Sequence, residues 1–210
     1  LIKFFHIRQL FSNLCFNISM MKKLLVVLGL MLFFAGSAFA WSTPRWTVFP
    51  LNVYIEDDEN SAPVQQAFLD WQTSAKKVNP FIRFDIKDGP RGLRKSQIDV
   101  RFVSGAQPNG QYYTISSNSL TDGFSLIRNT TGFFYHVSIT ISKADSSGKP
   151  LSRSKIHSIA LQAVGRSLGV NCIGAPNAAM SCNTTYDINS VTLQDLNALK
   201  NVYSYVRNHK

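Results

Sequence analysis

Apolar and polar side chains alternate through Pro50–Glu56, with Leu51, Val53 and Ile55 on one face, which predicts a strand. The period then changes. Val64, Ala67, Phe68, Trp71 and Ala75 recur at helical spacing behind Ser61, which offers an N-cap, and Pro63, which suits a first helical turn. Asn79-Pro80 ends that helix, and Phe81–Ile86 predicts a second strand. Ile98, Val100 and Phe102 alternate with Asp99 and Arg101 to make a third. Tyr112–Ile115 and Ser125–Arg128 are weaker strand candidates, and Val137, Ile139 and Ile141 give the last clear one. Ile156, Ile159, Ala160, Ala163, Val164 and Leu168 share one face of a central helix that stops at Leu168-Gly169. Thr192 and Asp195 form a capping pair before a final helix striped by Leu193, Leu196, Leu199, Val202, Tyr203 and Val206. The order of elements predicts an α/β (α+β) single domain with a twisted, mostly parallel sheet and three helices. No internal repeat, low-complexity segment or linker interrupts it.

The N-terminal region follows a different logic. Lys22 and Lys23 precede an apolar run from Leu24 to Ala35, and Ala38-Phe39-Ala40 is a small-x-small cleavage site. Residues 20–40 therefore read as a secretory signal peptide, with residues 1–19 expected to be upstream sequence translated from an early start and Trp41 the expected mature N-terminus. The apolar run falls short of the roughly 20 residues a membrane span needs, so the competing reading as an anchor helix is the weaker one. A secreted, periplasmic or extracellular location is expected, without a stable membrane anchor after cleavage.

Four of the 22 Lys and Arg residues precede Trp41, leaving 18 basic against 12 acidic side chains in residues 41–210, a net +6. That excess bears on solubility and steering. No basic stripe is interleaved with aromatics, so nucleic acid is not an expected partner. Export also changes the cysteine arithmetic. Cys15 lies ahead of the cleavage site, leaving Cys172 and Cys182, and an oxidising compartment favours a disulfide over a metal pair or a reactive thiol.

The segment "GRSLGV…AAM" resembles the frame of the metzincin zinc proteases, H-E-x-x-H-x-x-G-x-x-H followed by a Met-turn. Anchored on Gly169, Met180 falls at the Met-turn. The matrixin branch of that zincin-like family is similar over roughly Pro50 to Tyr203. "PLNVYIED" resembles its first strand, and "VQQAFLDW" its first helix through Ala67 and Trp71. "IDVRF", with Asp99, and "VSITIS" resemble later strands, and "VTLQDLNALKNVY" its closing helix through Asp195, Leu199 and Tyr203. The resemblance implies a metzincin fold and, in its active members, a zinc-dependent endopeptidase.

The chemical positions depart from the family. Two His at i and i+4 and a third beyond the Gly would hold Zn²⁺, and the Glu after the first His would act as general base. This chain has Gln162, Ala163, Arg166 and Cys172 there. A glutamine carbonyl is a poor zinc ligand, alanine takes no proton, and a guanidinium repels the cation. Cys172 is the one potential ligand, and a disulfide with Cys182 would consume it. His136, His157 and His209 do not pair at i, i+4, and Ser158 and Ser167 lack a nucleophile elbow. Asn129 and Asn183 begin N-x-T sequons, which matter only in a eukaryotic host.

The expectation is thus a pseudoenzyme: a matrixin-like domain without catalytic zinc or any other cofactor. It would bind extended peptides or protein segments along a sheet edge, with Arg166 as a peptide-binding residue. Two other classes stay open at this point. One is an active zinc endopeptidase using ligands outside the motif, and the other is a structural envelope or matrix protein.

Overall fold

The computed structural model describes residues 44–87, 96–105, 107, 111–120, 133–182 and 186–203. The expected export signal, Trp41, Ser125–Arg128, Asn129, Asn183, Val206 and His209 lie outside the described residues. Five strands and three helices follow in the order β1 (Leu51–Ile55), α1 (Ser61–Ala75), β2 (Phe84–Lys87), β3 (Ile98–Val103), β4 (Tyr113–Leu120), β5 (Phe133–Ser142), α2 (Arg153–Ser167) and α3 (Leu193–Tyr203). The fold is α/β, with one sheet ordered β2-β1-β3-β5-β4. All neighbours pair in parallel except β4, which runs antiparallel to β5 at the edge.

The register explains the alternation in the sequence. Val53 lies beside Ile98, and Ile98 and Val100 lie beside Val137 and Ile139. All five side chains are buried, and they form one apolar face. The intervening residues, Asp99 and Ser138 among them, point to the other face. On the apolar face the core is filled by Val64, Phe68 and Trp71 of α1 and by Ile156, Ile159 and Leu161 of α2. Trp71 also donates its indole N–H to the Leu161 carbonyl at 2.7 Å, which ties α1 to α2 inside the core.

Three local expectations need correction. The N-cap of α1 is Asn60 rather than Ser61, and no side chain caps it, because the Asn60 amide donates to Asp58 at 3.0 Å. The second strand begins at Phe84, not Phe81. Asn79 accepts the Phe81 N–H in a polar turn, Phe81 stays 75% exposed, and pairing with β1 starts only at Leu51–Phe84. The weak candidate at Tyr112–Ile115 is an eight-residue strand, Tyr113–Leu120, because β5 supplies the ladder that a run of Ser and Asn does not advertise. Among the described residues no helix is long and apolar enough to cross a membrane.

Candidate functional site

The site is built around the C-terminal end of α2. Ser152 starts this helix by accepting the Lys155 N–H at 3.2 Å. The helix ends in a Schellman motif: Val170 N–H bonds the Gly165 carbonyl at 3.0 Å, and Gly169 N–H bonds Arg166 at 2.9 Å. Gly169 sits at φ +88°, and a Cβ there would overlap the Pro44 carbonyl oxygen, so glycine is required twice over. Two aromatic side chains from distant parts of the chain satisfy the remaining carbonyls. Trp46 donates to Ser167 at 2.7 Å and Tyr203 to Leu168 at 3.0 Å. Burial pushes the Tyr203 phenol strongly up, so it remains a donor. The end of α2 is thereby fixed from three directions.

Past Gly169 the chain turns back, and Cys172 and Cys182 are joined by a disulfide. The loop between them is held by Ile173 N–H to Met180 O at 2.8 Å and Cys182 N–H to Ile173 O at 2.9 Å. Met180 is fully buried. Its sulfur lies against Gly165 and Trp71, where a Cβ on residue 165 would overlap both side chains. The absence of a side chain on α2 is what lets the loop seat there.

Asp195 fastens this loop to α3. It is completely buried, and its Oδ2 accepts Thr192 N–H and Oγ1, both at 2.8 Å, as the sequence pair foretold. The same carboxylate also accepts Ala179 N–H at 3.0 Å and Met180 N–H at 2.8 Å. Nothing in the sequence pattern announced this second role.

A cleft of about 530 Å³ opens between β4 and the end of α2. Tyr113 and Ile115 form one wall, while Gln162, Arg166 and Cys172 line the other, so three of the four positions compared with zinc chemistry share one cavity. Ala163 is not among the lining residues and is fully buried in the core. Gln162 is buried too, and its amide donates to the Ser181 carbonyl at 2.9 Å. Arg166 is half-buried, with its Nη1 3.4 Å from the Asn171 side-chain oxygen, and its charge acts on the Tyr113 phenol across the cleft.

This donor set does not fit zinc. Gln162 is committed to a backbone carbonyl, Arg166 carries a positive charge, and Cys172 is oxidised. Among the described residues no three His, Cys, Asp or Glu side chains gather to hold a metal ion. His157 pairs with Asp70 of α1, and His136 pairs with Asp99 on the polar face of the sheet, each at 2.9 Å. Ser158 donates to the Ile188 carbonyl and Ser167 to the Val164 carbonyl, which are structural duties.

Tyr186 closes the cleft and was not marked by any motif. It is the one non-glycine with positive φ among the described residues, at +52°, a backbone setting that favours Gly or Asn. Its ring stands edge-on to Tyr112 at 5.3 Å, and the Lys155 Nζ lies 5.7 Å from its centroid. Burial and the neighbouring phenols of Tyr113 and Tyr112 push the Tyr186 pKa up to about 12, against the opposing pull of Arg166. Burial raises Tyr113 as well. Both phenols therefore remain neutral donors near neutral pH.

The sign of the linkage follows. A phenol whose pKa is raised on folding contributes stability that is complete below the unfolded value near 10 and is lost as pH rises toward about 12. Urea unfolding at pH 9 and pH 11.5 is expected to show lower stability at the higher pH, with Tyr186→Phe reducing the difference. An equal difference in the variant would remove Tyr186 from the account.

A scan against protein-family models finds no match for this sequence, and a search of curated proteins finds none either.

Proposed function

We propose that this chain is a secreted, matrixin-like metzincin domain that has lost zinc hydrolysis and binds extended polypeptide in the cleft beside β4. One observation carries the reading: Gln162, Arg166 and Cys172 line a single cleft next to the edge strand of the sheet. The sheet order, the Gly169 turn and Met180 packed beneath α2 support it. Among the described residues β4 pairs only with β5, so its other edge would offer N–H and C=O groups to an incoming strand. Pockets between alternate side chains would then add selectivity to a sequence-neutral backbone ladder.

Hydrolysis needs a polarised water and a base, and the cleft supplies neither. Arg166 has no proton to take up, and position 163 faces the core as alanine. What the cleft does supply is a cation, two phenolic donors and a strand edge that no described strand occupies, which suffice to hold a peptide.

The test combines three measurements on the purified protein. Metal analysis is expected to find no stoichiometric zinc, and casein is expected to remain uncleaved. Reduced, alkylated serum albumin, an extended polypeptide, is expected to bind. Stoichiometric zinc with cleavage would instead establish the working endopeptidase, and neither binding nor cleavage would leave the structural role.

A further inference from the structure

We infer that the peptide group seated against Arg166 is a carboxylate, so that the cleft selects extended peptides carrying a chain terminus or an Asp or Glu side chain at that point. The inference rests on the peptide-binding reading and adds the ligand's charge to it.

Of the described residues that line the cleft, Arg166 is the single charged one, and no Asp or Glu faces it. Its hydrogen-bond partner, the Asn171 side-chain oxygen at 3.4 Å, is neutral, as is the Tyr113 phenol that shares the cleft. Among the described residues, the half-buried lysines are matched by acids, whereas the buried Arg45 meets the Val202 carbonyl and the Phe133 ring. Lys143 meets Asp58 at 2.8 Å, and Lys155 meets Asp187 at 3.2 Å. These neutral neighbours leave the Arg166 charge uncompensated. A guanidinium has five N–H donors in a planar fork, so donors remain for a ligand.

The surrounding groups favour a negative ligand over a neutral one. The Gln162 amide donors are turned to the Ser181 carbonyl, which leaves Arg166 the strongest donor available. Tyr113 and Tyr186 hold their protons and bring no competing anion. A carboxylate would meet Arg166 through a charge-assisted, bidentate contact, whereas a peptide carbonyl offers one oxygen and no charge. Stoichiometry of charge separates carboxylate from phosphate. One guanidinium balances one negative charge, and a phosphomonoester carries about 1.5 to 2 at neutral pH.

Four fluorescein-labelled octapeptide pools test this by polarisation at low salt. The first is C-terminally amidated and contains no Asp or Glu. The second is the same pool as free acids, the third an amidated pool with one internal Glu, and the fourth an amidated pool with phosphoserine in place of that Glu. The free-acid pool, the Glu pool or both are expected to bind at least about tenfold more tightly than the first. In Arg166→Gln the acidic pools should lose that advantage, and Arg166→Lys should keep part of it. Preference for free acid alone identifies a chain terminus as the ligand, and preference for Glu alone a side chain. Equal binding of all pools overturns the carboxylate assignment while leaving peptide binding intact. Preference for phosphoserine over both acidic pools also overturns it. If no pool binds, the peptide-binding reading falls with it.

Discussion

Asp195→Ala is expected to destabilise the domain by about 3–5 kcal/mol, a large fraction of the roughly 5–15 kcal/mol that holds a typical domain together. The carboxylate accepts Met180 N–H on Oδ1 and Ala179 N–H, Thr192 N–H and Thr192 Oγ1 on Oδ2. Thr192 is partly exposed and recovers water when the acceptor is removed. The amides of Ala179 and Met180 are in a buried segment, and each unsatisfied group there costs about 1–3 kcal/mol. Asp195→Asn keeps one oxygen but turns an NH₂ toward N–H donors on the other side, so its cost should fall between wild type and alanine. Urea denaturation measures the loss, and hydrogen exchange at Ala179 and Met180 locates it. A loss below about 1 kcal/mol, with those two amides still protected, would show that the loop is held by its disulfide and backbone bonds instead.

The same residue shows where the sequence is readable and where it is not. Thr192 and Asp195 declare a helix cap because the partners are three residues apart. The link from Asp195 to residues 179 and 180 crosses the chain, and no local spacing encodes it. Strands β1, β3 and β5 were legible from alternation, since Leu51, Val53, Ile55, Ile98, Val100, Val137, Ile139 and Ile141 are buried in the core. The edge strand β4 was legible only in its first residues. Ser116 and Ser117 are exposed, and pairing with β5 rather than propensity makes that segment a strand. On α2 the four-residue spacing of Gln162 and Arg166 was enough to place both beside the cleft. It could not say that Gln162 turns its amide to Ser181, nor that Tyr186 forms a wall, since Tyr186 reaches the site from a loop with no motif. Ala163 is the instructive case. It follows Gln162 in sequence, yet the roughly 100° advance per helical residue carries it into the core.

That difference between neighbours fixes the expected result of rebuilding the metal centre. Combining Gln162→His, Arg166→His and Cys172→His with Cys182→Ser is expected to create a zinc site where the described residues of the wild type gather no metal-binding group. The first two positions lie one turn apart on α2, and the third returns through the Gly169 turn to the same cleft. The substitutions carry costs. Opening a loop of 10 residues' separation loses at most about 2–3 kcal/mol, and removing Gln162 leaves the Ser181 carbonyl without that donor. Zinc bound only by the folded state offsets such losses, by about 2.7 kcal/mol at a free concentration one hundred times Kd. The measurable signature is therefore a thermal midpoint that rises with added zinc, falls again with EDTA, and accompanies one zinc per chain. A folded variant that takes up no zinc would undermine the alignment of α2 with the metzincin helix, and with it the proposed ancestry of the cleft. Adding Ala163→Glu is expected to destabilise rather than to restore turnover. The carboxylate would start from a fully buried position among apolar residues, and taking its charge out of water there is costly. Zinc binding without hydrolysis is the outcome this geometry predicts.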